Sequence, residues 1–246
     1  MGVGAGATRV RTGHVSTGSR YAIYFTPEDD SSLGRFGWWW LGRHPTSEDY
    51  GVLPAFAVEA ARHSEVVAEP RLYGFHATLK PPFHLAEGST EAGLLDALVG
   101  FADECAAFSA PALHLGNLHG FLALLPSAPA PEFERLAAAC VREFDGFRAP
   151  PTEVETAKRL QAGLTERQQE LLAEWGYPYV FDEFRFHMTL TCSLDDAEQR
   201  IFKAILEPLV AGFTHLPLAV GSLCLFRQSA AGKPFVMLQR FNLGAT

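Results

Sequence analysis

Two short segments carry the residues that could do chemistry. "YGFHATLKPP" runs from Tyr73 to Pro82, and "FRFHMTLTCS" runs from Phe184 to Ser193. Each holds an aromatic residue, a histidine, any residue, a threonine and a leucine, in that order. The histidines stand 187 − 76 = 111 residues apart. Alternate side chains of a strand point to opposite faces. Phe184, Phe186, Met188, Leu190 and Cys192 then share an apolar face, and Arg185, His187, Thr189 and Thr191 share a polar one. The first segment divides the same way, with Tyr73, Phe75, Ala77 and Leu79 against Gly74, His76, Thr78 and Lys80. One such strand is an ordinary half-exposed strand. Two of them, with the same residues in the same order, suggest polar faces that meet across one groove.

The expected groove holds two imidazoles, two hydroxyls and two cations, a set that suits a phosphodiester. Hydrolysis needs a base for the attacking water and an acid for the leaving oxygen, and two histidines that titrate near neutrality can divide those roles. Threonine hydroxyls can donate to the non-bridging oxygens as charge builds, and Lys80 and Arg185 can offset phosphate charge. His76, Thr78, His187 and Thr189 are the catalytic candidates. Lys80, Arg185, Tyr73 and Arg227 are the candidate substrate contacts, Arg227 and Tyr73 being the weaker two, Tyr73 because its parity is apolar unless the strand is bulged. No metal or other cofactor is expected, since neither motif has a second ligand at zinc-site spacing. His84, His114, His119 and His215 are scattered and read as structural or exposed. P-loop, nucleophile-elbow and dinucleotide fingerprints are absent.

Several elements must position these residues. "YAIYF", Tyr21–Phe25, reads as a first strand. "LGRFGWWWLGR", Leu33–Arg43, reads as a packing element or lid base, because three adjacent tryptophans cannot all face one way. Leu53–His63 suggests a short helix and Gly74–Leu79 a strand. Ser89 opens a helix with Leu94, Leu98, Ala102 and Cys105 at helical spacing. Leu113–Leu125 reads as strands paired through a turn. Pro131 begins a helix whose stripe is Phe133, Leu136, Ala137, Cys140, Val141 and Phe144. Thr165 and Gln168 make a capping box for a helix ending near Gly176. Ser193 is placed as the cap of a helix carrying Ile201, Ile205 and Leu209, and strands over Leu218–Phe226 and Pro234–Phe241 close the chain.

The halves rhyme, so a duplicated α+β lobe is expected rather than a solenoid. Residues 1–19 are Gly/Ser/Thr-rich and are expected to be mobile. Residues 20–246 are expected to form one bilobed domain, with lobes of roughly 20–125 and 126–246 and strands free to exchange between them.

Here the residues resemble a known family. "YAIYFTP", "LYGFHATLKPPF" and "FRFHMTLT" are similar to hallmark stretches of the two-histidine (2H) phosphoesterase superfamily. Within it they resemble a bacterial branch often encoded with carbon–phosphorus lyase genes and linked to phosphonate metabolism. The resemblance spans about Arg20 to Asn242. It implies two antiparallel-rich sheets around a central cleft with helices outside, and it carries the family's active-site residues onto His76, Thr78, His187 and Thr189. It further implies a metal-independent cyclic phosphodiesterase acting on a small sugar or nucleotide cyclic phosphate. 5-Phosphoribosyl 1,2-cyclic phosphate is the candidate within the branch. An enzyme of RNA 2′,3′-cyclic or 2′-5′ ends, a non-catalytic phosphate-binding module and a purely structural duplication are the alternatives.

Composition narrows the setting. With 48% hydrophobic and 20% charged residues the 246-residue chain can bury a full core. A net charge of −8 disfavours extended grip on nucleic acid, which needs many cationic contacts, although an RNA terminus needs few. Cys105, Cys140, Cys192 and Cys224 are widely spaced and fit reduced core positions in a cytoplasmic protein. Neither a signal-peptide core nor a membrane span is expected. The expected partner is a small phosphate ester, and the expected state a monomer.

Overall fold

A computed structural model describes residues 18–56 and 58–244. The expectation of a mobile start lies, for residues 1–17, outside the described residues. The strands are β1 (Arg20–Phe25), β2 (Ala77–His84), β3 (Phe108–Ala110), β4 (Leu113–Leu118), β5 (Phe121–Pro126), β6 (Met188–Ser193), β7 (Leu218–Val220), β8 (Ser222–Gln228) and β9 (Phe235–Asn242). The helices are α1 (Ser32–Leu41), α2 (Ala60–Tyr73), α3 (Glu91–Glu104), α4 (Pro131–Glu143), α5 (Glu153–Leu160), α6 (Glu166–Trp175) and α7 (Asp196–Val210). The fold is α+β, with every pairing between these strands antiparallel. Among the described residues no helix is long and apolar enough to cross a membrane.

One sheet has the order β2-β1-β8-β9, and a second has the order β4-β5-β6. β3 and β7 form a two-stranded ribbon. The sheets therefore do not divide near residue 125. The first unites both ends of the described chain, and the second is built from its middle.

The two motif strands are edge strands of different sheets. Pro81 and Pro82 supply a reason for β2, because a proline has no N–H to give a second neighbour. The strands are brought together crosswise. α2, which leads into the first motif, packs on β6, and α4 packs on β2. The indole Nε1 of buried Trp40 on α1 donates to the carbonyl of Leu190 on β6 at 2.8 Å. Trp38 is buried too, while Trp39 is 44% exposed. The tryptophan run is thus a helix that packs against the second motif's strand.

The capping box of Thr165 and Gln168, the Gly176 end of α6, Pro131 at the start of α4 and the α4 stripe all lie where their residues predict. Two helices differ. α2 begins at Ala60, so the expected Leu53–His63 helix is displaced. Its buried stripe is His63, Val66, Val67 and Pro70, which has helical spacing but hides behind a histidine and a proline. α7 is capped by Asp195, whose side chain accepts from the amides of Ala197 and Glu198, not by Ser193. It buries Phe202, Leu206 and Val210, one position on from the expected stripe, and leaves Ile201 48% exposed.

A bulge decides the face of Lys80. Tyr24 pairs with Thr78 but Ile23 pairs with Lys80, so β2 carries an extra residue at Leu79. Beyond it the parity reverses, and Lys80 faces the core beside Ile23. Lys80 is 1% exposed, and its ammonium donates to the Val141 carbonyl at 3.0 Å and lies 3.5 Å from Asp145 Oδ1. Burial lowers its pKa to about 8, with Asp145 partly opposing. Lys80 ties β2 to the end of α4 and is not in the cleft. Lys80→Ala is expected to cost about 2–5 kcal/mol, through lost packing and an orphaned buried carbonyl. Urea unfolding checks this, and an unchanged midpoint contradicts it.

Candidate active site

The motifs fold as local copies of one another. His76 directly precedes β2 and His187 directly precedes β6. The aromatic residue before each histidine is the anchor. Phe75 is buried edge-on to Phe36 and Trp38, and a Cβ on Gly37 of α1 would lie 1.9 Å from its ring. Phe186 is buried against Phe133, with centroids 3.9 Å apart, and near Phe25. Ala77 and Leu79, and likewise Met188 and Leu190, continue the buried face. The intervening histidines and threonines must then turn the other way. They do so into one cavity of about 410 Å³ lined by His76, Thr78, His187 and Thr189.

Backbone carbonyls set both rings. His76 Nδ1 lies 2.9 Å from the Gly74 carbonyl, and His187 Nδ1 lies 2.7 Å from the Arg185 carbonyl. A carbonyl only accepts, so Nδ1 carries the proton and the neutral ring keeps its lone pair on Nε2. His76 Nε2 is 3.1 Å from Thr78 Oγ1. The turn that brings the first carbonyl round requires Gly74 at φ 87, in the region that favours glycine. Buried Arg43 braces it by donating to the carbonyls of Arg71, Leu72 and Ser47.

Each imidazole also has an aromatic neighbour from the adjoining strand. Tyr24 of β1 stacks on His76 with centroids 3.8 Å apart, and Phe121 of β5 lies 5.8 Å from His187. Burial therefore disfavours the imidazolium at both positions. It lowers His76 to about 4, with the Gly74 carbonyl opposing and the His187 and Arg43 charges adding to the fall. His187 is lowered as well, first by burial and then by His119, while the Arg185 carbonyl opposes.

The second strand departs from simple alternation. β6 skips register between its pairs with Phe121 and Ala123, and Thr191 is buried. Its hydroxyl accepts the Leu122 amide at 2.9 Å, so it satisfies the backbone at the irregularity.

The other sequence candidates are scattered. Tyr73 lines the cavity, since it ends α2 and strand parity does not apply to it. Arg185 is exposed, donates to the carbonyls of Asp182 and Phe184, and lines an adjoining cavity that shares His187. It is its carbonyl, not its charge, that touches the motif. Arg227 faces away and pairs with Glu91 at 3.0 Å. Sequence reasoning missed Tyr24, Arg20, Tyr177 and Arg159, all of which line the cavity. Parity along β1, where Arg20, Ala22 and Tyr24 share a face, could have found two of them. Among the described residues no cluster of three His, Cys, Asp or Glu side chains could hold a metal ion.

A family described as "Protein of unknown function (DUF1045)" matches residues 78–236, well over half of the chain. The chain belongs to this family. It is 43% identical over 227 residues to "Ribose 1,5-bisphosphate phosphokinase PhnN" of Janthinobacterium sp. (strain Marseille), covering 90% of this chain and 50% of that protein. It is 37% identical over 219 residues to the protein of the same name from Laribacter hongkongensis (strain HLHK9), covering 88% and 50%. The chain thus spans about half the length of the curated relatives it matches. The crystal structure of E. coli LigT complexed with 3′-AMP aligns over 92% of this chain and 98% of its own, at 16% identity and a TM-score of 0.40.

The half-buried, neutral His76 links to stability. An unfolded histidine takes a proton near pH 6.5 and the folded one only near 4. The unfolded chain binds more protons across that window, so the contribution is intact above pH 6.5 and declines as the pH falls towards 4. His76→Gln is expected to lose less stability than the unaltered protein between pH 7.5 and 5, as read by urea midpoints. Equal losses would show that His76 is not held neutral by burial.

Proposed function

We propose that the cavity hydrolyses a phosphodiester, with His76 and His187 as its acid–base pair. What carries the reading is the matched presentation of two Nε2 atoms to one cavity, each ring pinned through Nδ1 by a carbonyl. A neutral imidazole takes a proton from water at Nε2 as the oxygen attacks phosphorus. The other, protonated at Nε2, gives its proton to the leaving alkoxide as the P–O bond breaks. The hydroxyls of Thr78 and Thr189 can donate to the non-bridging oxygens as their charge grows. Side chains supply the acid, the base and the hydrogen-bond donors, so the proposed mechanism is metal-independent.

His76 suits the base, because burial and two cationic neighbours resist its protonation. His187 then suits the acid. The proposed substrate is a small sugar or nucleotide cyclic phosphate, with 5-phosphoribosyl 1,2-cyclic phosphate the first candidate in phosphonate catabolism. The name shared by the two curated relatives, which refers to a ribose bisphosphate, supports a phosphorylated pentose. Their phosphokinase activity is not carried over, since the P-loop pattern is absent from this chain.

Purified protein is to be assayed with and without EDTA on pentose cyclic phosphates, 2′,3′-cyclic nucleotides and 2′-5′ dinucleotides. His76→Ala and His187→Ala are each expected to lose ~10²–10⁴-fold in kcat, and the double variant less than the product of the two. Full activity in either single variant, or activity lost to EDTA and restored by a divalent metal, refutes the mechanism.

The pH profile tests the assignment separately. The base must be deprotonated, which holds above about 4 for His76. The acid must be protonated, which for His187 holds only below a pKa lowered from 6.5. A bell in kcat/KM with both limbs below pH 6.5 is therefore expected, since kcat/KM reports the free protein. An alkaline limb well above 6.5 would overturn it.

A further inference from the structure

The cavity that holds the two histidines has a second chemical centre that the hydrolytic mechanism does not use. Arg20 and Arg159 line it, and so do Tyr24, Tyr73 and Tyr177. Arg62, Arg148, Arg167, Arg227 and Arg240 all pair with carboxylates. Arg20 and Arg159 are held differently. Arg20 Nε donates to Gln228 Oε1 at 2.8 Å, and its guanidinium lies 5.4 Å from the Phe235 ring centroid. Arg159 lies over the Tyr177 ring at 4.7 Å. Glu155 senses Arg20, but its carboxylate is engaged by the amide and hydroxyl of Thr152. Two guanidiniums that bind no carboxylate among the described residues thus border one cavity in an acidic chain.

The Tyr24 hydroxyl is the independent sign that something is missing from the protein's own contacts. Tyr24 is fully buried, and its hydroxyl has no hydrogen-bond partner among the described residues. A buried unsatisfied polar group is costly, and a site that retains one is suited to a ligand that completes it. Its electrostatic neighbours are the phenols of Tyr73 and Tyr177 and the guanidiniums of Arg20 and Arg43, while Tyr177 in turn senses Arg159, Tyr179 and Tyr73. Arg20, Arg159, Tyr24, Tyr73 and Tyr177 all line the one cavity. The cavity wall's carboxylate, Glu69, is placed differently, near Cys192.

We infer that Arg20 and Arg159, with the hydroxyls of Tyr24, Tyr73 and Tyr177, form a second anion subsite that takes a monoester phosphate carried by the substrate. This rests on the phosphodiesterase reading and deepens it, since it selects a cyclic phosphodiester that bears a further phosphate. Two guanidiniums match the charge of a phosphate dianion and offer forked donors to its oxygens. Arg20 and Tyr24 share a face of β1 four residues apart, which is about 13 Å between their Cα atoms at ~3.3 Å per residue. Shortened by an arginine side chain, that is the scale of a pentose with phosphates at both ends, with the reacting one beside His76.

Isothermal titration with ribose 5-phosphate and with ribose examines the subsite without requiring turnover. The unaltered protein is expected to bind ribose 5-phosphate and not ribose. The double variant Arg20→Gln, Arg159→Gln is expected to bind it at least about tenfold more weakly, and Arg20→Lys, Arg159→Lys to recover part of the loss. Thermal unfolding identifies variants that fail to fold, and the lysine pair then carries the comparison. Equal binding of both sugars, or undiminished binding in a folded double variant, overturns the subsite. Turnover adds a second reading. The ratio of kcat/KM for 5-phosphoribosyl 1,2-cyclic phosphate over ribose 1,2-cyclic phosphate should fall at least about tenfold in the double variant, and an unchanged ratio counts against the subsite. Ribose 5-phosphate binding that depends on the arginines, with no cyclic ester hydrolysed, would uphold the subsite and remove the catalytic reading.

Discussion

The site depends on a hydrogen bond made twice: an imidazole Nδ1–H donating to the carbonyl two residues before it. That bond fixes the ring plane and assigns the lone pair to Nε2. It forms only if the chain curls just ahead of the strand, and the curl is held by burying the aromatic residue between carbonyl and histidine. Phe75 wedges into the α1 aromatics and Phe186 into those around Phe133. Removing either aromatic would free the curl without touching an imidazole.

Each copy of this device belongs to a different sheet, and the sheets are interleaved in sequence. β1 and β2 are completed by β8 and β9 from the far end of the chain, while β6 is completed by β4 and β5 from its middle. α2 and Trp40 then reach from the first motif's neighbourhood onto β6. Neither half could present its histidine to the other without nearly the whole fold in place.

Charge is divided between core and cavity. Lys80 is two residues beyond Thr78 yet serves the core, holding the end of α4. The cations that line the cavity, Arg20 and Arg159, come from outside both motifs. Each motif can specify its own histidine and threonine, because two residues apart they share one strand face. Groups that recognise the remainder of a ligand can come from any segment that borders the cavity.

The sequence by itself determined the local pattern. Alternation about His76–Thr78 and His187–Thr189, the capping box at Thr165 and Gln168 and the α4 stripe are written in residues one to four apart, and the structure keeps them. It did not reveal the α2 stripe, which uses His63 and Pro70 as core residues, nor which face of α7 is buried, since two neighbouring stripes were both apolar. Only the tertiary structure decided the rest. A bulge at Leu79 reversed the parity that would have placed Lys80 in the cleft. Packing of α2 on β6 brought two edge strands face to face, and long-range placement delivered Arg159 and Tyr177 to the cavity. The physical reason is one of range: side-chain direction within a strand is a local property, whereas a bulge and the meeting of two sheets depend on partners that are distant in sequence.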